Sequence, residues 1–200
     1  MRILILYTER SGTNSIASYF MKQNPNYEYY NQPWSSYFVE GGVIPIDYNK
    51  CIKKENVLIK STTSNLLALK VTMDKVISDF DKVILISRRN KREQAISSII
   101  ASDSNSYLDT TQKKYFVDGI VSESMDKTIS MLEDNDAELM EFHKLGAPIF
   151  YYEDLYYGSF TDLFSVLNLE YIEEDYNEIL NTNKRYKAGE LVSKKDKTLI

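Results

Sequence analysis

The sequence predicts an α/β fold with an open parallel sheet of four to five strands flanked by helices. Short apolar runs occur at Ile3–Tyr7, Val57–Ile59 and Val83–Ile86, and such runs are typical of strands buried on both faces of a parallel sheet. A helical pattern follows each run, so strand, crossover helix and strand recur along the chain. Ligands of such sheets bind at the carboxyl ends of the strands, so the segments after these runs are the first candidates for a site.

The same periodicities predict the remaining elements. Two further strands are predicted, around Tyr27 to Tyr30 and over Ala147 to Tyr152. Glu153 and Asp154 are expected to cap the helix after the last strand. Helices are predicted from Ile16 onward and over Ser64 to about Ser78, Glu93 to Ile100, Thr110 to Lys144, Phe160 to Leu167 and Tyr176 to Leu180. The polar run at 134–136 allows a break in the longest of these, and Gly146 is suited to end it.

Length and composition favour one domain over residues 1–200, with a basic and weakly patterned tail from about residue 181. The hydrophobic content of 43% is that of an ordinary soluble globule. No apolar stretch approaches the roughly 18 residues that a membrane span requires, and the first strand-like run is too short for a signal peptide. We therefore expect a cytoplasmic protein without membrane insertion.

The charge balance argues against a broad nucleic-acid interface. The chain has 24 Lys and Arg against 29 Asp and Glu, which gives a net charge of −5. The single Cys51 excludes an internal disulfide and a multi-cysteine metal site, and no metal is expected. Binding of an anion must therefore depend on local clusters, of which the segment Arg88–Arg92 is the densest.

The first strand leads into a turn that suits an anion. Residues 8–15 read Thr-Glu-Arg-Ser-Gly-Thr-Asn-Ser, and the helical pattern begins at Ile16. A glycine-bearing turn between a buried strand and a helix directs several backbone N–H groups and a helix N-terminus at one spot. The basic Arg10 and four hydroxyl side chains lie in the same segment. We expect a phosphate-like group to bind within this segment.

This turn is not a Walker loop. Gly12 is followed by Thr13 and Asn14, where a Walker loop needs Gly-Lys-Ser/Thr after a second glycine. Without that lysine and the magnesium-binding hydroxyl, kinase or ATPase chemistry loses its usual grip on the β and γ phosphates. The strand, turn and helix thus predict a P-loop-NTPase-like sheet whose loop favours a different anion.

Two segments resemble the donor-binding motifs of sulfotransferases that use 3′-phosphoadenosine 5′-phosphosulfate (PAPS). Residues 10–13, Arg-Ser-Gly-Thr, resemble the family's 5′-phosphosulfate loop. Arg89 and Ser97 stand eight residues apart across a strand-to-helix junction and resemble its 3′-phosphate-binding segment. The pattern Arg-Asn-Lys-x-x-Gln-Ala-x-Ser from Arg89 is similar to that of bacterial sulfotransferases of the trehalose-sulfating type.

Further segments extend the resemblance over residues 3 to about 170. Tyr151–Leu155 resembles the Arg-Tyr-Glu-Asp-Leu strand end of the family, and Leu167–Leu169 resembles the Leu-Asn-Leu stretch that follows it. Val57–Thr62 resembles a strand that ends in Lys-Ser/Thr-Pro, with a threonine in place of the proline. The C-terminal basic-glycine segment of many relatives is only approximated by Lys184–Gly189.

The resemblance implies transfer of a sulfuryl group from PAPS to an acceptor hydroxyl on a carbohydrate or small metabolite, without a metal. It assigns the 5′-phosphosulfate to residues 10–15 and the 3′-phosphate to the strand-to-helix junction. Arg10 is both a binding and a catalytic candidate, because its guanidinium would offset charge on the departing nucleotide. Lys60 is either a strand-end surface lysine or a cofactor contact. The predicted donor-binding residues are Arg10, Ser11, Gly12, Thr13, Asn14, Ser15, Arg89 and Ser97.

A base must take the proton of the acceptor. In relatives with a carboxylate base, a glutamate follows the second strand in a Glu-Tyr/Val-Phe-like context, which Pro25–Tyr30 matches. Glu28 is therefore the predicted catalytic base, and Glu40, beside two glycines, is the reserve. The lone His143 lies in the last turn of the longest predicted helix, where a basic residue also favours the helix dipole.

Two other functions stay open at this stage. One is a nucleotide or sugar kinase with an irregular phosphate loop, which magnesium-dependent ATP turnover would favour. The other is a catalytically inactive protein that retains the nucleotide-binding fold, which donor binding without acceptor turnover would favour. The aromatic segment from Gln23 to Lys54 has no motif that names the acceptor, and the sequence does not give the oligomeric state.

Overall fold

A computed structural model describes residues 1–35, 47–103 and 122–177 of the chain. Five strands of this part form one parallel sheet in the order β2-β3-β1-β4-β5. The predicted α/β class and its open parallel sheet are confirmed. The strands are β1 (Arg2–Tyr7), β2 (Glu28–Asn31), β3 (Val57–Ser61), β4 (Lys82–Ser87) and β5 (Ile149–Tyr151).

The central strand is β1, which lies between β3 and β4. Leu4 of β1 is in register with Ile59 of β3 and with Val83 of β4. Because the three strands run in parallel, the segments that follow them come together at one edge of the sheet, here called the carboxyl edge. The opposite side, where the strands begin, is called the amino edge.

Helices cover both faces of the sheet. They are α1 (Thr13–Gln23), α2 (Tyr48–Ile52), α3 (Thr63–Leu67), α4 (Met73–Asp79), α5 (Lys91–Asp103), α6 (Ser122–Lys144), α7 (Tyr152–Tyr156) and α8 (Thr161–Leu167). A further helical segment covers 173–177, where the description ends. Over residues 1–35, 47–103 and 122–177, no helix is both long and apolar enough to cross a membrane.

The alternation of side chains along β1 divides the core into two layers. Ile3, Ile5 and Tyr7 pack with residues of α1, α7 and α8. Leu4 and Leu6 pack with residues of α2, α3, α4 and α6 on the other face. Because β1 is buried on both faces, the position of the turn between β1 and α1 is fixed.

One helix prediction differs from the structure because of local backbone signals. The segment 64–78 forms two helices, since Lys70 adopts a left-handed φ of 57° and the Thr72 side chain caps a new helix by accepting a hydrogen bond from the Lys75 N–H. The helix expected after the last strand, for which no bounds were predicted, is α7, and it begins at Tyr152, directly after the short β5.

The longest predicted helix is present as α6, and it runs through 134–136 without a break. Leu132 and Leu139 are fully buried on either side of that polar run, so packing keeps the helix continuous. Residues 110–121 of the predicted helix, residues 178–180 of the last one and the basic tail from about 181 lie outside the described residues.

Candidate functional site

The turn between β1 and α1, residues 8–12, is named the Gly12 turn. Arg10 has a φ of 61° and Gly12 a φ of 79°, so two residues of the turn adopt the left-handed conformation that is uncommon outside glycine. The Ser11 hydroxyl donates to the Thr8 carbonyl oxygen at 2.7 Å, and the Thr8 N–H donates to Ile86 of β4 at 3.1 Å. These bonds hold the turn at the carboxyl edge, next to the end of β4.

Backbone donors remain at the N-terminus of α1. The N–H groups of residues 11 to 14 form no hydrogen bond within the described part of the chain. Ser15 differs, because its N–H donates to the Gly12 carbonyl oxygen at 3.2 Å. The turn and the start of α1 therefore offer four backbone donors, together with the positive end of the dipole of α1.

Lys60 near the end of β3 reaches the same place. Its side chain is buried, and its Nζ donates to Oδ1 of Asn14 in the first turn of α1. The ammonium lies 5.0 Å from the centroid of the Tyr7 ring. No ion pair with a carboxylate is formed within the described residues, and burial lowers the pKa of Lys60 to about 7. Of its two predicted roles, that of a surface lysine is wrong.

One face of α5 holds the other side of the Gly12 turn. Gln94, fully buried, donates from Nε2 to the Thr8 hydroxyl at 2.9 Å and also to the Glu9 carbonyl oxygen. One turn later, the Ser97 hydroxyl accepts a hydrogen bond from Nε of Arg10 at 2.9 Å. Residues three apart share a helix face, so α5 positions the backbone and the guanidinium of this turn together. The structure thus brings Arg10 and Ser97 into contact.

Arg89 lies at the end of β4, beside α7. Its guanidinium binds both carboxylate oxygens of Asp154 and lies 4.0 Å from the centroid of the Tyr151 ring. The Glu153 carboxylate accepts from the N–H groups of Arg89 and Asn90, each at 3.0 Å. The sequence predicted that Glu153 and Asp154 cap their own helix. They instead bind the segment that leads into α5.

The predicted pair Arg89 and Ser97 does not form a direct contact in the described structure; each side chain has a different partner. Two of the five N–H donors of Arg89 are used by Asp154, and half of the side chain is exposed. The remaining donors are compatible with an anion at the carboxyl edge.

Arg88 and Lys91 of the basic cluster are used inside the protein. Arg88 is buried, donates to the Glu93 carboxylate at 2.6 Å and lies over the Tyr152 ring at 4.5 Å. Lys91 forms an ion pair with Asp136 of α6 at 2.5 Å. These contacts join β4, α5, α6 and α7, so the two cations stabilise the frame of the site.

The Tyr156 side chain of α7 contacts the Gly12 turn directly. Its hydroxyl donates to the Gly12 carbonyl oxygen at 2.7 Å, and the Ser15 side chain hydrogen-bonds to the same tyrosine. A Cβ atom at Gly12 would lie only 2.5 Å from Cε2 of the Tyr156 ring. The position therefore requires glycine both for its φ and for the space that the ring occupies.

Glu28 is at the wrong edge of the sheet for the predicted base. It is the first residue of β2 and is in register with Val57, which in turn is opposite Arg2 at the start of β1. The Gly12 turn follows the other end of β1, roughly 17 Å away at ~3.3 Å per residue. The Glu28 carboxylate accepts hydrogen bonds from Lys54 at 2.8 Å and from the Tyr30 hydroxyl, and both bonds lower the pKa of Glu28. The structure therefore does not bring Glu28 to the Gly12 turn.

Of the other two predicted bases, only His143 lies within the described residues. His143 hydrogen-bonds through Nδ1 to the Ala147 carbonyl oxygen at 2.8 Å, in the turn that ends α6. Glu40 and the segment Lys184–Gly189 lie outside the described residues. Within the ranges that the structure covers, no group of three or more His, Cys, Asp and Glu side chains could hold a metal ion.

Comparison with solved structures finds a similar fold. No family model and no curated protein matches the sequence. The structure is similar to the crystal structure of a sulfotransferase from Alicyclobacillus acidocaldarius. The two share 13% sequence identity over 94% of each chain, with a TM-score of 0.49. At this level of similarity, no residue role is transferred from that protein.

Sequence reasoning missed Gln94 and Tyr156 and left Lys60 undecided. A signal for Gln94 was its spacing, because positions 94 and 97 share a face of the predicted helix. A signal for Lys60 was its place at the end of a buried strand. Tyr156 gave no such signal, since its contact with Gly12 joins positions 144 residues apart.

Proposed function

We propose that this protein is a sulfotransferase that moves a sulfuryl group from PAPS to an acceptor hydroxyl. The observation that carries the proposal is the buried ammonium of Lys60 beside the first turn of α1, where four backbone N–H groups have no hydrogen bond within the described residues. A buried cation next to a helix N-terminus suits an anion such as the phosphosulfate end of the donor. The missing Walker lysine favours this anion over a nucleoside triphosphate.

The donor would occupy two subsites at neighbouring strand ends. In the first, the Gly12 turn, Asn14 and Lys60 bind the 5′-phosphosulfate. In the second, Arg89 binds the 3′-phosphate, with Ser97 supplying a hydroxyl on the adjoining face of α5. Support for this assignment comes from the parallel pairing of β1 and β4, which makes the two segments neighbours. The proposal includes a rearrangement in which Arg89 shares its donors between Asp154 and the ligand.

The reaction places its main electrostatic demand on the first subsite. The acceptor oxygen forms a bond to sulfur as the bond from sulfur to the bridging phosphate oxygen breaks, and adenosine 3′,5′-bisphosphate (PAP) leaves. Negative charge grows on that bridging oxygen during the transfer. Lys60 and the N–H groups of α1 would stabilise this charge in a buried setting, where such interactions are stronger than in water.

The proton of the acceptor hydroxyl goes to a general base. With Glu28 at the amino edge, Glu40 is the proposed base, since it is the reserve carboxylate of the sequence resemblance. The acceptor is proposed to be a carbohydrate or small metabolite, and the similarity of the segment that starts at Arg89 to trehalose-sulfating enzymes makes a sugar the first acceptor to try.

Thermal unfolding with PAP, ADP and AMP tests donor binding. PAP at 100 times its Kd should stabilise the protein by about 2.7 kcal/mol, or roughly 5–10 °C in Tm. ADP and AMP should give much smaller shifts, because each lacks the 3′-phosphate. A larger shift with magnesium and ADP than with PAP would favour the kinase alternative, and no shift with PAP would overturn the proposal.

Turnover is tested by measuring PAP released from PAPS with a panel of sugar acceptors. Glu40→Gln should lower the rate by at least about 100-fold while PAP affinity stays unchanged. Glu28→Gln is the matched control, because it makes the same change at the amino edge, and it should retain the rate. PAP binding without release of PAP for any acceptor would favour the inactive binding protein.

A further inference from the structure

We propose that α7 is a positioning element that sets the Gly12 turn for anion binding, with Tyr156 as its positioning residue. The inference rests on the proposed anion site and extends it to a helix that lies outside the proposed ligand contacts. Three observations carry it: a hydrogen bond to the turn, a close packing contact, and the attachment of the same helix to Arg89.

The hydrogen bond determines which way one peptide faces. The carbonyl of Gly12 and the N–H of Thr13 belong to the same planar trans peptide and point in opposite directions. Tyr156 donates to that carbonyl at 2.7 Å, alongside the Ser15 N–H at 3.2 Å, so it helps to hold the negative end of the peptide on its own side. The Thr13 N–H must then point away from Tyr156. A rotation of this peptide would turn an oxygen, instead of a donor, toward a bound anion.

Packing restrains the same peptide. The Tyr156 ring fills the space beside Cα of Gly12, so closely that a Cβ there would come within 2.5 Å of Cε2. The ring is itself held by stacking on Tyr152, with centroids 4.4 Å apart, and by an edge contact with Phe160 at 5.1 Å. The Gly12 turn thus packs against an aromatic cluster on this side and does not face solvent there.

The same short helix attaches to the second subsite. Asp154 binds the guanidinium of Arg89, and Glu153 accepts from the N–H groups of Arg89 and Asn90. Residues 153, 154 and 156 lie within one turn of helix, so their positions relative to one another are fixed by the backbone. We infer that α7 sets the spacing between the Gly12 turn and Arg89.

The test compares Tyr156→Phe with Tyr157→Phe. Tyr156→Phe removes the hydroxyl and keeps the ring, so packing is retained. Tyr157, 75% exposed, is the adjacent tyrosine and serves as the matched control. Affinities for inorganic sulfate, PAP and adenosine 3′-monophosphate are measured by calorimetry, and Tm is measured without ligand. Tyr156→Phe should weaken sulfate and PAP by about fivefold to tenfold and leave the 3′-monophosphate unchanged, whereas Tyr157→Phe changes none of them.

A uniform loss for all three ligands, or a lower Tm with every affinity unchanged, would overturn the inference, because either result describes a purely structural role. Failure of the proposed function gives a different pattern. If the unaltered protein binds sulfate but not PAP, the sulfotransferase proposal is wrong while the sulfate data still decide the role of Tyr156. If it binds neither sulfate nor PAP, both proposals are overturned.

Discussion

Lys60 of β3 donates a hydrogen bond to Asn14 of α1, so a buried ammonium links the end of this strand to the first turn of this helix. Only 2% of Lys60 is exposed, and the ring of Tyr7 is its other close neighbour. Burying a cation without a carboxylate partner costs free energy, whereas the same cation attracts an anion strongly in a low-dielectric site. Stability and binding should therefore respond to this residue in opposite directions.

Lys60→Met tests this opposition. Methionine fills a similar volume without the charge, so the unliganded protein should become more stable, with Tm raised by roughly 3 °C for each kcal/mol gained. Binding of PAP should fall by at least about 100-fold, because a charge-assisted contact is lost. Thermal unfolding and calorimetry measure the two effects. Lys53→Met is the control, since Lys53 is exposed on the amino side of β3 and its loss should alter neither quantity appreciably.

The pH dependence of PAP binding should reflect the protonation of Lys60. Burial holds the pKa of Lys60 at about 7 in the free protein, below its ordinary value of 10.5. A bound anion favours the charged form and raises this pKa, so above pH 7 binding takes up a proton. The contribution of Lys60 to PAP affinity should be flat below pH 7 and fall as pH rises above it, by up to about tenfold per unit. Calorimetry at pH 8.5 in buffers of different ionisation enthalpy should show the uptake.

The stability of the free protein should follow the opposite trend. Between pH 7 and 10.5 the unfolded chain binds the Lys60 proton and the folded chain does not, so this group makes stability rise with pH across that window. Lys60→Met should remove both the rise in stability and the proton uptake on binding. If the variant keeps the proton uptake of the unaltered protein, another group is responsible.

The sheet could be predicted from the sequence because strands buried on both faces carry nearly continuous apolar runs. Ile3–Tyr7 and Val83–Ile86 lie within β1 and β4, and the helix after each began close to its predicted start. The split of the segment 64–78 was missed, since a left-handed residue such as Lys70 leaves no trace in hydrophobic periodicity. Packing, rather than local propensity, decided the continuity of α6.

The candidate site was only partly predictable. The Gly12 turn could be predicted, because its strand, glycine and helix are contiguous in the chain. Glu28 lies away from the Gly12 turn, and its place at the start of a predicted parallel strand already indicated the amino edge. The partners of Arg89 could not be predicted, because charge complementarity alone does not select Asp154 among the many acidic residues.

Arg89→Ala should weaken PAP binding far more than Arg92→Ala. Arg89 lies beside the end of β4 at the carboxyl edge, whereas Arg92 is an exposed residue of the first turn of α5. Loss of charge-assisted hydrogen bonds to the 3′-phosphate should cost about 10- to 100-fold in affinity, and the Arg92 change less than about threefold. Sulfate affinity should stay unchanged in both variants. Equal effects of the two substitutions in calorimetry would remove Arg89 from the 3′-phosphate subsite.

Gly12→Ala and Gly146→Ala separate backbone strain from crowding by Tyr156. Both glycines have left-handed φ values, 79° and 98°, so each alanine should cost about 1 kcal/mol of unfolding free energy for conformation alone. A Cβ at Gly146 meets nothing within 4 Å, whereas one at Gly12 meets the Tyr156 ring at 2.5 Å. Overpacking should therefore make Gly12→Ala at least about 1–3 kcal/mol more destabilising in urea unfolding. Equal losses in the two variants would mean that the ring moves aside freely, and would weaken the case that Tyr156 restrains the turn.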